Sequence, residues 1–402
     1  MKSVSWFKLS MFLLAAGAVL GSGAGGARAK EDRLSAGPVR LLTTIAVPGH
    51  LVVFDISFLD PSTQLYYLAD RSNNAIDVVD ARTSTFVKQI NKGGFTGFTG
   101  NNDTSGPNGV VVSGHWLFVT DANSRVVTID LRTDQVVSSA STGGGPGLRC
   151  DELAYDPQDS VLLVVNNADA PPFATIVDVD KANGHLKVGP RITFANATNG
   201  AEQPAWVSAT HRFYISIPEV NGVAADGAVG RITAGGRLET MYPVHLCQPA
   251  GLTLGPGQDL LVGCSVVFDT AGKPWSSTDP NTAAPAQVII DARTGAVDSR
   301  VDGVGGSDEV WFNPGDGRYY TASRNNPGGP VLGVIDAGER RLVQVIPSFN
   351  TPATAPPPRG TAHSVAANPH NNRVFLPLPA NNVFPNCLDG CIAVYGAPRD
   401  DD

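Results

Sequence analysis

The sequence predicts an all-β fold, a single seven-bladed β-propeller with four antiparallel strands in each blade, and three observations carry that reading. Helical periodicity is nearly absent: apolar segments are short, rich in β-branched residues, and broken throughout by 44 Gly and 30 Pro. A composite unit recurs at intervals of about 50 residues, with four strand-like segments in each copy. The last copy lacks a fourth strand, while the segment at 39–49, "VRLLTTIAVPG", precedes the first copy and has no partner there. Inserting that segment into the last blade closes the ring and removes a free sheet edge.

Residues 1–29 read as a signal peptide. Lys2 and Lys8 supply a positive start, "MFLLAAGAVL" at 11–20 is an apolar run, and "ARA" at 27–29 has the small–x–small form of a cleavage site. The run is too short for a permanent membrane helix and no later segment approaches one. The expectation is a secreted or periplasmic protein, without a membrane span, after cleavage near Ala29. Loss of Lys2, Lys8 and Arg28 takes the net charge from −8 to −11. A chain this acidic, with no Lys/Arg cluster, repels nucleic acid, which is excluded as a partner.

The propeller then occupies 30–402, with blades starting near 54, 107, 151, 203, 250, 308 and 363. Each first strand closes on a tight turn: "DPST", "SGHW", "DPQD", "SATH", "GPGQ", "NPGD", "NPHN". Apolar second strands follow, such as "QLYYLAD", "WLFVTD", "VLLVVNN" and "RYYTAS". Third strands end in Asp80, Asp130, Asp178, Asp291 and Asp336, as in "IDVVDARTS" and "VIIDARTG". Five acids at one register invite a metal hypothesis, but an Asp that opens a turn accepts hydrogen bonds from the backbone N–H groups after it, so these are read as structural.

The "V-x-V-[ID]-x-x-T" strands and "[DN]-P-x-x-x-x-[VL]-[YFL]" hairpins resemble the YncE-type, or YVTN-repeat, seven-bladed propellers over residues 39–397. The resemblance implies an extracytoplasmic protein, in a group that includes binding proteins and, more distantly, lactonases and redox-cofactor propellers. It carries over no active-site residue.

Five cysteines leave an odd count for an oxidising compartment. Cys247 and Cys264 flank a hairpin pattern and are expected to pair, as are Cys387 and Cys391 around "LDG". Cys150 is left over and reads as a small buried residue.

Turns between strands one and two and between three and four are short, whereas the other two kinds of connection are long and irregular. Long loops on a rigid scaffold concentrate binding and catalytic groups, and here they fall on one face. The echo between "CDELAYDP" at 150–157 and "SDEVWFNP" at 307–314 belongs to that face. Where the chain enters each innermost strand stand Asp55, Pro107 with Asn108 beside it, Asp151, Gln203, Ala250 with Gln248 nearby, Asp308 and His363.

The expected site is a polar, acidic pocket at the channel mouth. Asp308, Glu309, His363 and Asp55, from adjacent blades, are the candidate catalytic residues. The same four are candidate ligands for a divalent cation, Ca²⁺ or Mg²⁺ through oxygen, or Zn²⁺ through His363. Asp151, Glu152, Asn108, Gln203, Gln248, Arg71, Arg324 and Asn325 complete the candidate ligand-binding set, the two arginines as clamps for a carboxylate. No P-loop, G-x-S-x-G, H-E-x-x-H or C-x-x-C-H is present and no G-x-G-x-x-G follows a strand, so no nucleotide or covalent haem motif is read.

Three functions fit: a metal-assisted lactonase-like hydrolase or isomerase acting on a small oxygen-rich molecule, a non-catalytic small-molecule binding or sensing protein, or a platform gripping a protein partner through the 265–286 loop. The chain is expected to be a monomer.

Overall fold

The computed structural model describes residues 37–275, 283–352 and 360–398. The predicted signal segment and the middle of the 265–286 loop lie outside these. Seven four-stranded antiparallel sheets follow one another along the chain as blades of a ring, with essentially no helix. Each sheet runs in sequence order except that of blade 7, where the strand Arg40–Ala46 is added outside Cys391–Gly396, with Arg40 opposite Gly396 and Ala46 opposite Cys391. The N-terminal strand therefore supplies the fourth strand of the last blade, as the repeat count requires.

The second strands show why their sequences are apolar without alternation. In Leu65–Asp70, Tyr66 packs with Phe375 and Val394 of blade 7, while the adjacent Tyr67 packs with Leu117 and Val119 of blade 2. Successive side chains of a strand point to opposite faces, and a blade held between two neighbours buries both. Blade 6 repeats the device: Tyr319 faces Leu261 and Ile289 of blade 5, and Tyr320 faces Val374 and Leu376 of blade 7. A buried cluster of this kind fills each of the seven interfaces between neighbouring blades. Every fully buried Leu, Val or Phe in them contributes roughly 1.5–3 kcal/mol. The outermost strands have only one covered face, and burial alternates along them, as in Arg341–Pro347, where Leu342, Gln344 and Ile346 are half-buried while Val343 and Val345 are exposed.

Turn chemistry follows from the short polar residues read in the sequence. Asp60 Oδ1 accepts from Ser62 N at 2.9 Å, and Asn368 Oδ1 accepts from His370 N at 3.0 Å. At the ends of third strands, Asp80, Asp130 and Asp291 accept from the backbone N–H two residues on, at 2.9, 3.0 and 2.9 Å. Blade 3 departs from the pattern. Its third strand, Phe173–Val179, runs past Asp178, and Asp180 opens the turn by accepting from Ala182 N at 2.9 Å.

Cys247–Cys264 links the first two strands of blade 5, and Cys387–Cys391 closes the loop ahead of the last strand. Cys150 is free and buried; burial pushes its thiol up to about 12. Among the described residues no helix is long and apolar enough to cross a membrane.

Candidate functional site

The channel mouth is built from one backbone pattern repeated around the ring. Ahead of the first strand in five of the blades, a residue donates its N–H to the second strand of its own blade. Asp55 N bonds Ala69 O, Asn108 N bonds Thr120 O, Asp151 N bonds Val165 O, Glu202 N bonds Ser216 O and Asp308 N bonds Ala322 O, all at 2.8–3.1 Å. The next residue reaches across to the neighbouring blade: Ile56 N to Asn108 O, Gly109 N to Asp151 O, and Glu309 N to His363 O. The backbone is committed to this stitching, and the side chains of Asp55, Asp151, Glu202 and Asp308 project into the mouth, while that of Asn108 stays buried against Arg71. Blade 5 offers nothing there, since Ala250 stands at the register and Gly251 follows it. A Cβ on Gly251 would lie 2.4 Å from Asp308 O, so the close approach of blades 5 and 6 needs glycine.

This pattern corrects one assignment. In blade 4 the first-register residue is Glu202, not Gln203. The first strand there is Pro204–Val207, so Val207, not Ser208, occupies the place that Asp60 and Asp156 hold elsewhere, and the register moves back by one. Gln203 instead accepts Leu252 N at 2.6 Å through Oε1, tying blade 4 to blade 5. Gln248 donates to Ala224 O at 3.1 Å and does not line the mouth. Asn108 is the blade 2 residue at this register.

A cavity of about 380 Å³ occupies the mouth. Asp55, Asp151, Glu152, Glu202, Asp308, His363, Arg71, Arg149, Arg324 and Asn325 line it, with Phe54, Asn102 and Thr361. Asp55 is its most connected group. Arg71 Nη2 bonds Asp55 Oδ2 directly, Arg149 Nη1 lies 3.3 Å from the same oxygen, and His363 Nε2 lies 3.2 Å from Oδ1. Arg71 is itself fixed by Asn108 Oδ1, at 2.9 Å from Nε and 2.6 Å from Nη2. The His363 ring stacks on Phe54 with centroids 5.3 Å apart, and its Nδ1 lies 2.8 Å from Thr361 O and 2.9 Å from Thr361 Oγ1. Arg149 also reaches Asp151 Oδ1 at 2.8 Å, and Arg324 reaches Asp308 Oδ2 at 3.0 Å.

The carboxyl groups are thereby pushed towards different proton affinities. Burial would raise Asp55, but Arg71, the hydrogen bond with His363 and Arg149 together hold it well below the usual carboxylate range. Burial pushes Asp151 up to about 6, the opposing pull of Arg149 being partly offset by the negative charge of Asp55. Glu202 is raised well above its ordinary value by burial and by Asp151 and Asp308, against Arg149 and Arg324. Glu152 and Glu309 are raised too, each chiefly by burial, Glu152 then by Glu309 and Glu309 then by Asp308.

Of these acids, Glu202 is half-buried and lines the cavity, and its carboxyl group has no hydrogen-bond or ion-pair partner among the described residues, so it remains free to meet a ligand. Glu309 lies outside the cavity lining; its Oε2 accepts from Ser364 Oγ at 3.2 Å and its Oε1 is buried without a partner. Glu152 lines both this cavity and a second, of about 410 Å³, further down the channel, where Phe58, Tyr155, Trp206 and Trp311 form aromatic walls.

The structure thus brings Asp55, His363, Asp308, Asp151, Glu152, Arg71, Arg324 and Asn325 to one cavity. Asp55, Asp308, Glu309 and His363 do not converge as a metal-ligand set. Guanidinium groups occupy the positions beside Asp55 and Asp308 where a cation would sit, and Glu309 points elsewhere. Among the described residues the one group of three His, Cys, Asp or Glu side chains within mutual ligand distance is Asp156, Asp159 and His211, in the turns of blades 3 and 4. Sequence reasoning missed Glu202, Arg149, Asn102 and Thr361. The last three belong to connections between blades, whose lengths carry no register, although Arg149 stands only two residues before Asp151.

No protein-family model matches the chain, and no curated protein matches it. Among solved structures it is similar to a chain of Kuenenia stuttgartiensis hydrazine synthase, at 15% identity and a TM-score of 0.62, over 87% of this chain and 95% of that one. At that identity the likeness shows the propeller fold alone.

Proposed function

We propose that this chain is a YncE-type propeller of the secreted or periplasmic space that binds a small oxygen-rich molecule at the channel mouth and acts on it by acid–base chemistry, as a lactone or ester hydrolase or an isomerase. The observation that carries the reading is the contrast among acids around one cavity: Asp55 held ionised by Arg71 and Arg149, Asp151 at about 6, and Glu202 raised and without a partner. Neighbouring carboxyl groups whose environments push their protonation apart are what an acid–base pair needs.

In this reading Glu202 donates a proton to the leaving or carbonyl oxygen, Asp151 accepts one, and Arg324 with Asn325 holds a substrate oxygen. Arg71, Asn108 and His363 position Asp55. The two disulfides support an oxidising compartment. A divalent cation at Asp55, Asp308, Glu309 and His363 fits less well, because it would have to displace Arg71, Arg149 and Arg324. Binding without turnover is the second reading; the pairing of Asp55, Asp151 and Asp308 with arginines favours it, since such pairs fix a rigid polar surface.

The test is a panel of sugar lactones, aryl esters and aldoses, each assayed for product and for a shift in Tm, with the wild type and with Glu202→Gln. The expectation is at least one substrate whose turnover falls about 10²–10⁴-fold in the variant while Tm holds. Stabilisation without product throughout would leave the binding reading, and neither signal from any compound would sink the pocket reading for this class of ligand.

A further inference from the structure

The Asp156–Asp159–His211 group lies in the short turns closing the first strands of blades 3 and 4, and an acidic cluster on turns is not by itself a site. Two further observations bear on it. Asp156 is 0% exposed, its Oδ1 accepts from Gln158 N at 2.8 Å, and its Oδ2 is buried with no hydrogen-bond partner. In the matching turn of blade 1, Asp60 Oδ2 takes the hydroxyl of Thr63 at 2.7 Å. Blade 3 has Asp159 in place of Thr63, an acceptor in place of a donor, so the buried oxygen is left facing a second carboxylate.

The histidine repeats the imbalance. His211 Nδ1 lies 3.0 Å from Gln158 Oε1 and Nε2 lies 2.9 Å from Asp159 Oδ2. A neutral imidazole has one N–H, and here both ring nitrogens face acceptors. With Nδ1–H donating to Gln158, the Nε2 lone pair points at a carboxylate.

We propose that this group binds a divalent transition-metal ion of the Zn²⁺ class, through Asp156 Oδ2, an Asp159 oxygen and His211 Nε2, and that the ion joins blades 3 and 4 at their inner hairpins. A cation supplies at once what the buried oxygen, the second carboxylate and the Nε2 lone pair each lack. One ligand atom from each of the three residues lies within 4.8 Å of the others, and neighbouring ligands of an ion with bonds of about 2 Å stand roughly 3 Å apart. Imidazole with two carboxylates selects Zn²⁺ over Ca²⁺ or Mg²⁺. Gln158 on Nδ1 is the outer partner that fixes the tautomer of a metal-binding histidine, and Trp206, packed T-shaped against the imidazole with ring centroids 5.2 Å apart, holds its plane.

The test is calorimetric titration of ZnCl₂ into the full secreted chain after chelator treatment. One equivalent binds to the wild type and to Glu202→Gln alike, which separates this site from the channel mouth. His211→Ala and Asp159→Asn, both at exposed side chains, each lose Zn²⁺ affinity at least ~100-fold, and Gln158→Ala loses about 10-fold. Zn²⁺ raises the Tm of the wild type and leaves that of His211→Ala unchanged. The proposal is overturned if the wild type takes up no Zn²⁺, if His211→Ala binds it undiminished, or if millimolar CaCl₂ displaces it.

Discussion

Replacing Arg71 with Met removes a guanidinium that is 2% exposed while nearly preserving its volume. Asp55 then keeps only Arg149 at 3.3 Å and His363 at 3.2 Å, and Asn108 Oδ1 loses the donor it holds at 2.6 and 2.9 Å. Removing one partner of a buried ion pair leaves an uncompensated charge and costs about 3–5 kcal/mol. At about 2.1 cal/mol/K per residue, a folded chain of roughly 370 residues has an unfolding entropy near 0.8 kcal/mol/K, so the expected fall in Tm is roughly 4–6 °C. Asp55→Asn/Arg71→Met should recover part of that loss, because the charge that needs Arg71 is gone. Urea unfolding of the four proteins of the cycle at pH 7 measures the coupling, expected at about 1.5–3 kcal/mol. A loss below about 1 kcal/mol for Arg71→Met, or a coupling near zero, would refute the argument that Asp55 is held ionised by Arg71.

Asp151 gives a pH signature. Its folded value, about 6, lies above its unfolded one, so the folded state binds the extra proton; the associated stability is complete below about pH 4 and lost as pH rises through 6. Urea midpoints should fall between pH 4.5 and 7.5, and Asp151→Asn should flatten that slope by on the order of 2–3 kcal/mol. The sign is opposite for Asp55, whose lowered value makes its contribution vanish only in strong acid. Cys150 should not react with a water-soluble disulfide reagent in the native protein, and one thiol per chain should appear in denaturant; reaction in the native state would contradict its burial. Gly251→Ala should lower stability by roughly 1–3 kcal/mol through the clash with Asp308 O, as read from its urea midpoint, whereas Gly235→Ala, which meets only Thr233 Oγ1 at 3.9 Å, should show no clash cost.

The ring was legible because each feature that makes a blade is local. Tyr66 and Tyr67 read as an unbroken apolar strand since both faces are covered, and Asp60, Asn313 and Asn368 mark turns by their own hydrogen bonding. Asp55, Asp151, Asp308 and His363 were found at a common register by measuring back from such turns. The same ruler failed in blade 4, where Val207 ends the strand and carries no turn chemistry, and so Glu202 was passed over for its neighbour. Charge balance was not legible at all. Arg71, Arg149 and Arg324 reach acids in their own and neighbouring blades, and which arginine meets which acid depends on loop paths that no spacing records. An apparently bare ring of carboxylates proved to be an alternation of acids and guanidinium groups, and for that reason the expected metal ligands stand apart.

The strand Arg40–Ala46 is made before all the other strands of the ring, and its partner, Cys391–Gly396, is made after them. Through the intervening production of six blades it has no sheet to join, and the seventh blade lacks its outer strand until it arrives. Bringing ends about 350 residues apart together costs only roughly 3 kcal/mol more than closing a ten-residue hairpin, because the entropy grows with the logarithm of length. The delay is thus one of sequence and time, not of energy, and the chain is committed to its native state only when its oldest strand meets its newest.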